Sequence, residues 1–79
     1  MPRPSNAPFD AALARLGKNV QMARKKAGFT QESFAEHLDL HPRTIQKIEQ
    51  GEVNMPTTTL IRIRGALKCR WRDILPPDE

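Results

Sequence analysis

Between Gln31 and Gln50 the apolar and small residues fall at Phe34, Ala35, Leu38, Leu40, Ile45 and Ile48, which makes two short helical faces rather than one long one. Phe34 and Leu38 lie four apart with small Ala35 beside them, a narrow inward face of about two turns. Ile45 and Ile48 repeat it. Between the two, Asp39-Leu40-His41 leads into Pro42. Proline's fixed φ suits the first turn of a helix, and its ring drives the preceding residue out of the helical region. The pattern predicts one helix that stops before His41 and another that runs from Pro42 to about Gln50 and ends at Gly51. Ala35 sits where the two would cross, and a larger side chain would hold them apart.

Two helices of about ten residues joined by a turn of three or four make a helix-turn-helix over residues 30–50. Upstream, from Pro8 on, Phe9, Leu13, Leu16, Val20, Ala23 and Ala27 step by four and three residues, the stripe of an amphipathic first helix. Gly28 stands just past its end, after Arg24-Lys25-Lys26, cations that suit the negative pole of a helix. Gly17 inside it costs about 1 kcal/mol relative to alanine, so the helix either bends there or starts properly only near Leu16. Thr30 caps the second helix, and Thr57 or Thr58 a fourth, whose inward positions are Leu60, Ile61, Ile63 and Leu67. Arg62, Arg64 and Lys68 point mostly outward from it. Trp71, Ile74 and Leu75 make a last short helix before Pro76-Pro77. The expected fold is all-α, a compact bundle of five helices. A flexible arm over residues 1–7 precedes a domain over residues 8–76, and residues 77–79 form a tail.

Composition narrows the function classes. Seventy-nine residues hold one domain and leave no room for a separate ligand-binding one, so no small-molecule ligand is expected. With 38% hydrophobic and 28% charged residues the chain reads as globular. The net charge of +4 favours a polyanionic partner, and the charges are unevenly placed. Residues 1–28 carry six basic residues and one acidic, residues 29–51 two and four, residues 52–79 five and four. The single cysteine, Cys69, excludes an intrachain disulfide and a cysteine-based zinc site, and it packs as a small apolar residue. No run reaches the roughly 18 apolar residues of a membrane helix and no signal-type core follows Met1, so a cytoplasmic protein without a membrane partner is expected. His37 and His41 are four apart, but the chain turns between them and no further ligand joins them, so no metal or cofactor is expected. No Cys-His, Ser-His-Asp or phosphate-cradling glycine motif is present, which argues against an enzyme.

The outward residues of the third helix are Arg43, Thr44, Gln46, Lys47 and Gln50, all able to hydrogen-bond and none acidic. With Thr30-Gln31, Phe34-Ala35, Leu38, Thr44-Ile45, Ile48-Glu49 and Gly51, the chain from about Leu16 to Leu75 resembles the lambdoid phage repressor and Cro-like (XRE-type) helix-turn-helix proteins, whose pattern reads TQxxLA…S/TI…IExG. It departs at Asp39, where the family usually has glycine, and at His41-Pro42, where many members have a serine or threonine cap. Asp tolerates the left-handed region better than most residues, so the turn survives.

The resemblance implies a transcriptional regulator that binds double-stranded DNA as a homodimer on a pseudo-palindromic operator. It would be a repressor or autoregulator of the phage repressor, restriction-modification controller or antitoxin type. Pro42, Arg43 and Lys47 then occupy the base-reading positions. Arg43 can take guanine O6 and N7 in pairs, Gln46 can pair with adenine, and Pro42 offers only apolar contact. Gln31, Thr44 and Asn54 fall at phosphate-contact positions, the first beside the free amides of a helix N-terminus. The family pairs a glutamate matching Glu49 with an arginine of the first helix, here Arg24. Trp71, Ile74 and Leu75 suit a two-fold dimer contact, with core packing an equal alternative for Trp71. Arg3 either reaches a minor groove or lies on a frayed terminus, and Lys25 and Lys26 either complement the helix dipole or touch phosphate. The competing class is a protein-interaction module of the same fold, for which acidic Glu32, Glu36, Asp39 and Glu52 speak.

Overall fold

The computed structural model describes residues 7–52 and 55–77, with side chains from Asp10 onward. Its helices are α1 (Ala7–Lys26), α2 (Gln31–Leu38), α3 (Pro42–Glu49), α4 (Thr57–Leu67) and α5 (Trp71–Ile74), and the described residues hold no strand. Arg3 and Asn54 lie outside the described residues.

The first three helices end alike, each on a residue with positive φ: Gly28 at 86°, Asp39 at 57° and Gly51 at 74°. In each case two successive amides reach back to carbonyls of the last turn. Gly28 and Phe29 donate to Lys25 and Arg24, Asp39 and Leu40 to Glu36 and Ala35, and Gly51 and Glu52 to Ile48 and Lys47. This Schellman pairing satisfies carbonyls that a helix end would otherwise leave bare. At its start α2 carries a reciprocal cap. Thr30 Oγ1 accepts the Ser33 amide at 3.0 Å, and Ser33 Oγ accepts the Thr30 amide at 2.9 Å. Phe29, just before the cap, packs on Phe34 with ring centroids 5.2 Å apart, a hydrophobic staple that fixes how the chain enters α2.

One core takes residues from every helix: Leu16 and Val20, Phe34, Ala35 and Leu38, Ile45 and Ile48, Ile63 and Leu67, and Ile74. At eight residues each, α2 and α3 are shorter than the roughly 12 residues below which isolated helices are marginal in water. Their stability therefore comes from this shared burial, about 1.5–3 kcal/mol for each large side chain.

Several sequence-based expectations change. Ile61 is 48% exposed, because successive residues are turned by about 100° around a helix and Leu60, Ile63 and Leu67 already define the inward side. Neither threonine caps α4. Pro56 holds the cap position, without a side-chain bond. Ala27 is exposed, since α1 is already unwinding into its terminal turn there. Ile74 is fully buried and its carbonyl accepts a hydrogen bond from Asn19 Nδ2 at 3.1 Å, so it fastens α5 to α1 and is no dimer contact.

Gly17 differs most. α1 is a single helix through it, and a Cβ there would stand 2.4 Å from the Ile48 carbonyl oxygen and 2.6 Å from that of Glu49. Its absent side chain lets α3 cross α1 backbone to backbone. Gly51 serves the same contact from α3's side, where a Cβ would lie 2.7 Å from Ala14 Cα. Gly65 in α4 has nothing within 4 Å of such a Cβ.

The two helical glycines therefore predict opposite signs. Gly17→Ala should lower the urea-unfolding free energy by about 1–3 kcal/mol through overpacking, in spite of alanine's better helix propensity. Gly65→Ala should raise it by up to about 1 kcal/mol. Stabilisation by Gly17→Ala would remove the close-crossing explanation.

Candidate nucleic-acid interface

α3 is amphipathic in a way that separates two tasks. Ile45, Ile48 and Glu49 are buried, while Pro42, Arg43, Gln46 and Gln50 are exposed and Thr44 and Lys47 half-buried. The N-terminal turn of α3 forms one wall of an open groove of about 860 Å³, lined by His41, Pro42, Arg43 and Gln46. Facing them are Gln31 and Glu32 at the start of α2 and Lys25 near the end of α1. Four of the expected contact residues, Gln31, Pro42, Arg43 and Gln46, thus meet around a single concavity. Lys47 stands outside it, one turn beyond Arg43 on the helix, and Thr44 does not line it either.

Glu49 is the one carboxylate of α3 and it is turned inward. Arg24 Nε donates to its Oε2 at 2.6 Å and Arg24 Nη2 to its Oε1 at 3.1 Å, with both side chains nearly inaccessible. This is the fork-to-fork geometry in which arginine binds a carboxylate most strongly. The remaining guanidinium nitrogen, Nη1, donates to the Phe29 carbonyl at 2.8 Å, which ties the α1–α2 turn into the same knot. The family resemblance paired Arg24 with Glu49 but named no third partner. Gln31 Nε2 donates to Glu49 Oε1 at 3.0 Å, so one of its two amide hydrogens is spent inward.

The cap of α3 was also missed. The His41 ring nitrogen Nδ1 accepts the Arg43 amide at 3.0 Å, a task usually given to oxygen side chains. His37, by contrast, packs against Phe29 with ring centroids 5.4 Å apart, so the two histidines have separate surroundings. Among the described residues no group of three or more His, Cys, Asp or Glu side chains could hold a metal ion, and no helix is long and apolar enough to cross a membrane.

At the start of α5 and just past its end, Trp71 and Leu75 are 38% and 37% exposed. The Arg64 guanidinium lies 5.2 Å over the Trp71 ring and donates to the Cys69 carbonyl at 3.3 Å. Cys69 is half-buried against the core. Burial first, and the Asp73 carboxylate second, push its thiol above the ordinary value. That disfavours the thiolate on which redox chemistry depends.

Glu49→Gln keeps the shape of the buried side chain but leaves Arg24 charged without a counterion. It should destabilise the fold by about 3–5 kcal/mol. Gln31→Ala, which leaves the ion pair whole, should cost about 1 kcal/mol. Chemical denaturation of both variants measures the difference, and equal losses would refute the ranking.

Comparison with known proteins adds an independent line. The helix-turn-helix family model matches residues 20–74. No curated protein matches the chain by sequence. Among solved structures, the restriction-modification controller protein C.AhdI from Aeromonas hydrophila has a TM-score of 0.76 at 23% identity, with 82% of this chain and 98% of that one covered. The clp gene regulator ClgR from C. glutamicum gives 0.74 at 22%, covering 92% and 86%. A hypothetical transcription factor, NHTF from Neisseria, gives 0.74 at 25%, covering 94% and 87%. The paired α2 and α3, the inward Glu49 and the family match over most of the length agree: the chain belongs to the XRE-type helix-turn-helix family of DNA-binding transcription regulators.

Proposed function

We propose that two copies of this regulator bind a pseudo-palindromic operator, each with α3 in a major groove, and that the complex acts as a repressor or autoregulator. One observation carries the reading. The outward face of α3 offers Arg43, Gln46 and Lys47, while the helix's only carboxylate is buried and paired with Arg24. Nothing on that face repels phosphate. Arg43 and Gln46, in the first turns of α3, are the residues this docking geometry brings to base edges, where arginine suits guanine and glutamine suits adenine. Pro42 adds an apolar contact and Lys47 a base or phosphate contact one turn later.

Phosphate contacts would fix the register. Gln31 has a second amide hydrogen beyond the one given to Glu49, next to the free backbone amides of α2's first turn. Thr44 and Asn54 would extend this set. The dimer contact would use Trp71 at the start of α5 and Leu75 at its C-cap, the large apolar residues left exposed there. C.AhdI, a restriction-modification controller, is the kind of small regulator this role would resemble.

Selection from a random duplex library should enrich a two-fold symmetric motif, with half-sites about 34 Å apart centre to centre. Arg43→Ala with Lys47→Ala should lose it, each missing bidentate base contact costing about 1–3 kcal/mol. If the wild type enriches no motif, or the double variant enriches the same one, a protein-interaction module replaces this reading. Glu32 in the groove would then be its first contact to examine.

For the dimer, Leu75→Glu should sediment as a monomer with unchanged helical circular dichroism and should bind operator more weakly. A Leu75→Glu protein that remains dimeric would take this face of α5 out of the interface.

A further inference from the structure

The residue that closes the turn into α3 is itself titratable. His41 sits in the extended region at φ −72° and ψ 141°, and its Nδ1 accepts the Arg43 amide at 3.0 Å while its carbonyl accepts that of Thr44 at 2.9 Å. Pro42 between them has no N–H, so these are the first amides α3 must place. A serine, threonine, asparagine or aspartate oxygen would accept at any ordinary pH. An imidazole nitrogen accepts only when it carries no proton, and the neutral ring then has its hydrogen on Nε2.

We propose that His41 is a pH-sensitive positioning residue for Arg43. This rests on the DNA-reading role given above. As a neutral ring, His41 pins the backbone from which Arg43 reaches into the groove, and its Nε2–H is a donor suited to a phosphate. As a cation it releases the Arg43 amide and sets a positive charge at the positive end of the helix, where the dipole opposes it. The same cation is attracted by DNA in general. That attraction is common to operator and random DNA, whereas the loss of Arg43's position weakens only the operator complex, so the ratio of specific to non-specific binding falls on acidification. Histidine is the side chain that ordinarily changes charge between about pH 5 and pH 8, which sets the range over which the test is run.

Charged groups of three helices share the groove with the ring. Arg24 and Lys25 of α1, Glu32 of α2 and Arg43 of α3 line the groove with His41, and Asp39 stands two residues before it. Arg24 is neutralised by Glu49. Lys25 and Arg43 bring positive charge to the groove and Glu32 negative charge, to which Asp39 adds from the turn before α3.

The test has one arm in the free protein and one on DNA. In proton–nitrogen correlation spectra the Arg43 amide should follow the His41 ring from about pH 8 to pH 5.5 in the wild type and stay still in His41→Asn, where an amide oxygen caps at all pH. The ratio of operator to random-duplex affinity should fall about fivefold over that range in the wild type, the size of one lost helix cap. His41→Asn should hold the ratio constant, and His37→Gln should reproduce the wild-type fall. An operator at pH 8 without coupling of the Arg43 amide to His41, or a His41→Asn protein with the wild-type pH dependence, overturns the role of His41 alone. The absence of any operator at pH 8 overturns the DNA reading itself, and with it the role.

Discussion

A carboxylate in the last turn of a helix is misplaced, since it faces the negative pole of its own helix. Glu49 occupies that position, and the Arg24 guanidinium makes it tolerable. Arg24 is itself well placed, as a cation in the last turn of α1. Its three nitrogens reach Glu49 twice and Phe29 once, and Gln31 adds a bond from α2. Four segments are thereby fixed at one buried point: α1, the α1–α2 turn, α2 and α3. A buried pair of this kind adds little net stability over an apolar pair of the same volume. Its contribution is direction. It leaves a single rotation of α3 in which every donor and acceptor is satisfied, and that rotation presents Arg43 and Gln46 outward.

The pair can form only because the helices cross closely. Gly17 on α1 and Gly51 just past α3 remove the two side chains that would hold the backbones apart. If either carried a Cβ, α3 would have to retreat, and a nitrogen–oxygen distance of 2.6 Å would stretch with it. Packing thus precedes electrostatics. Ile45 and Ile48 supply the hydrophobic burial, the glycines set the separation, and the ion pair then fixes the rotation.

The legible parts of the sequence were those whose rule is local. Pro42 marked the start of α3, Asp39 its preceding left-handed turn and Thr30 the cap of α2, because φ limits and capping bonds act within a few residues. That Gln31, Pro42, Arg43 and Gln46 line one groove was not stated by the sequence, because it depends on how two short helices pack across their turn. Gly17 was misread because its cost is local while its use lies in a crossing with residues 48 and 49. Ile61 and Ile74 were misplaced because an apolar residue carries no mark of which side of a short helix is covered. The His41 cap went unseen because nitrogen rarely does that work, and Gln31's bond to Glu49 because a first-turn glutamine has several ordinary partners.

Charge at the groove bears on how such a protein would bind. Affinity for DNA comes largely from neutralised phosphates, and base contacts add discrimination. Of the basic residues lining the groove, Arg24 is bound to Glu49, which leaves Lys25 and Arg43, and Glu32 subtracts from them. The groove itself therefore adds little net positive charge toward phosphate. On the proposed reading two protomers share one operator, and the second binds at the effective concentration set by the first, which can raise affinity by about 10² or more without any new contact. A weak half-site then becomes useful. It keeps a single copy from lingering on random DNA and makes occupancy depend on two symmetric half-sites at the right spacing, so selectivity would come from geometry as much as from the residues that read bases.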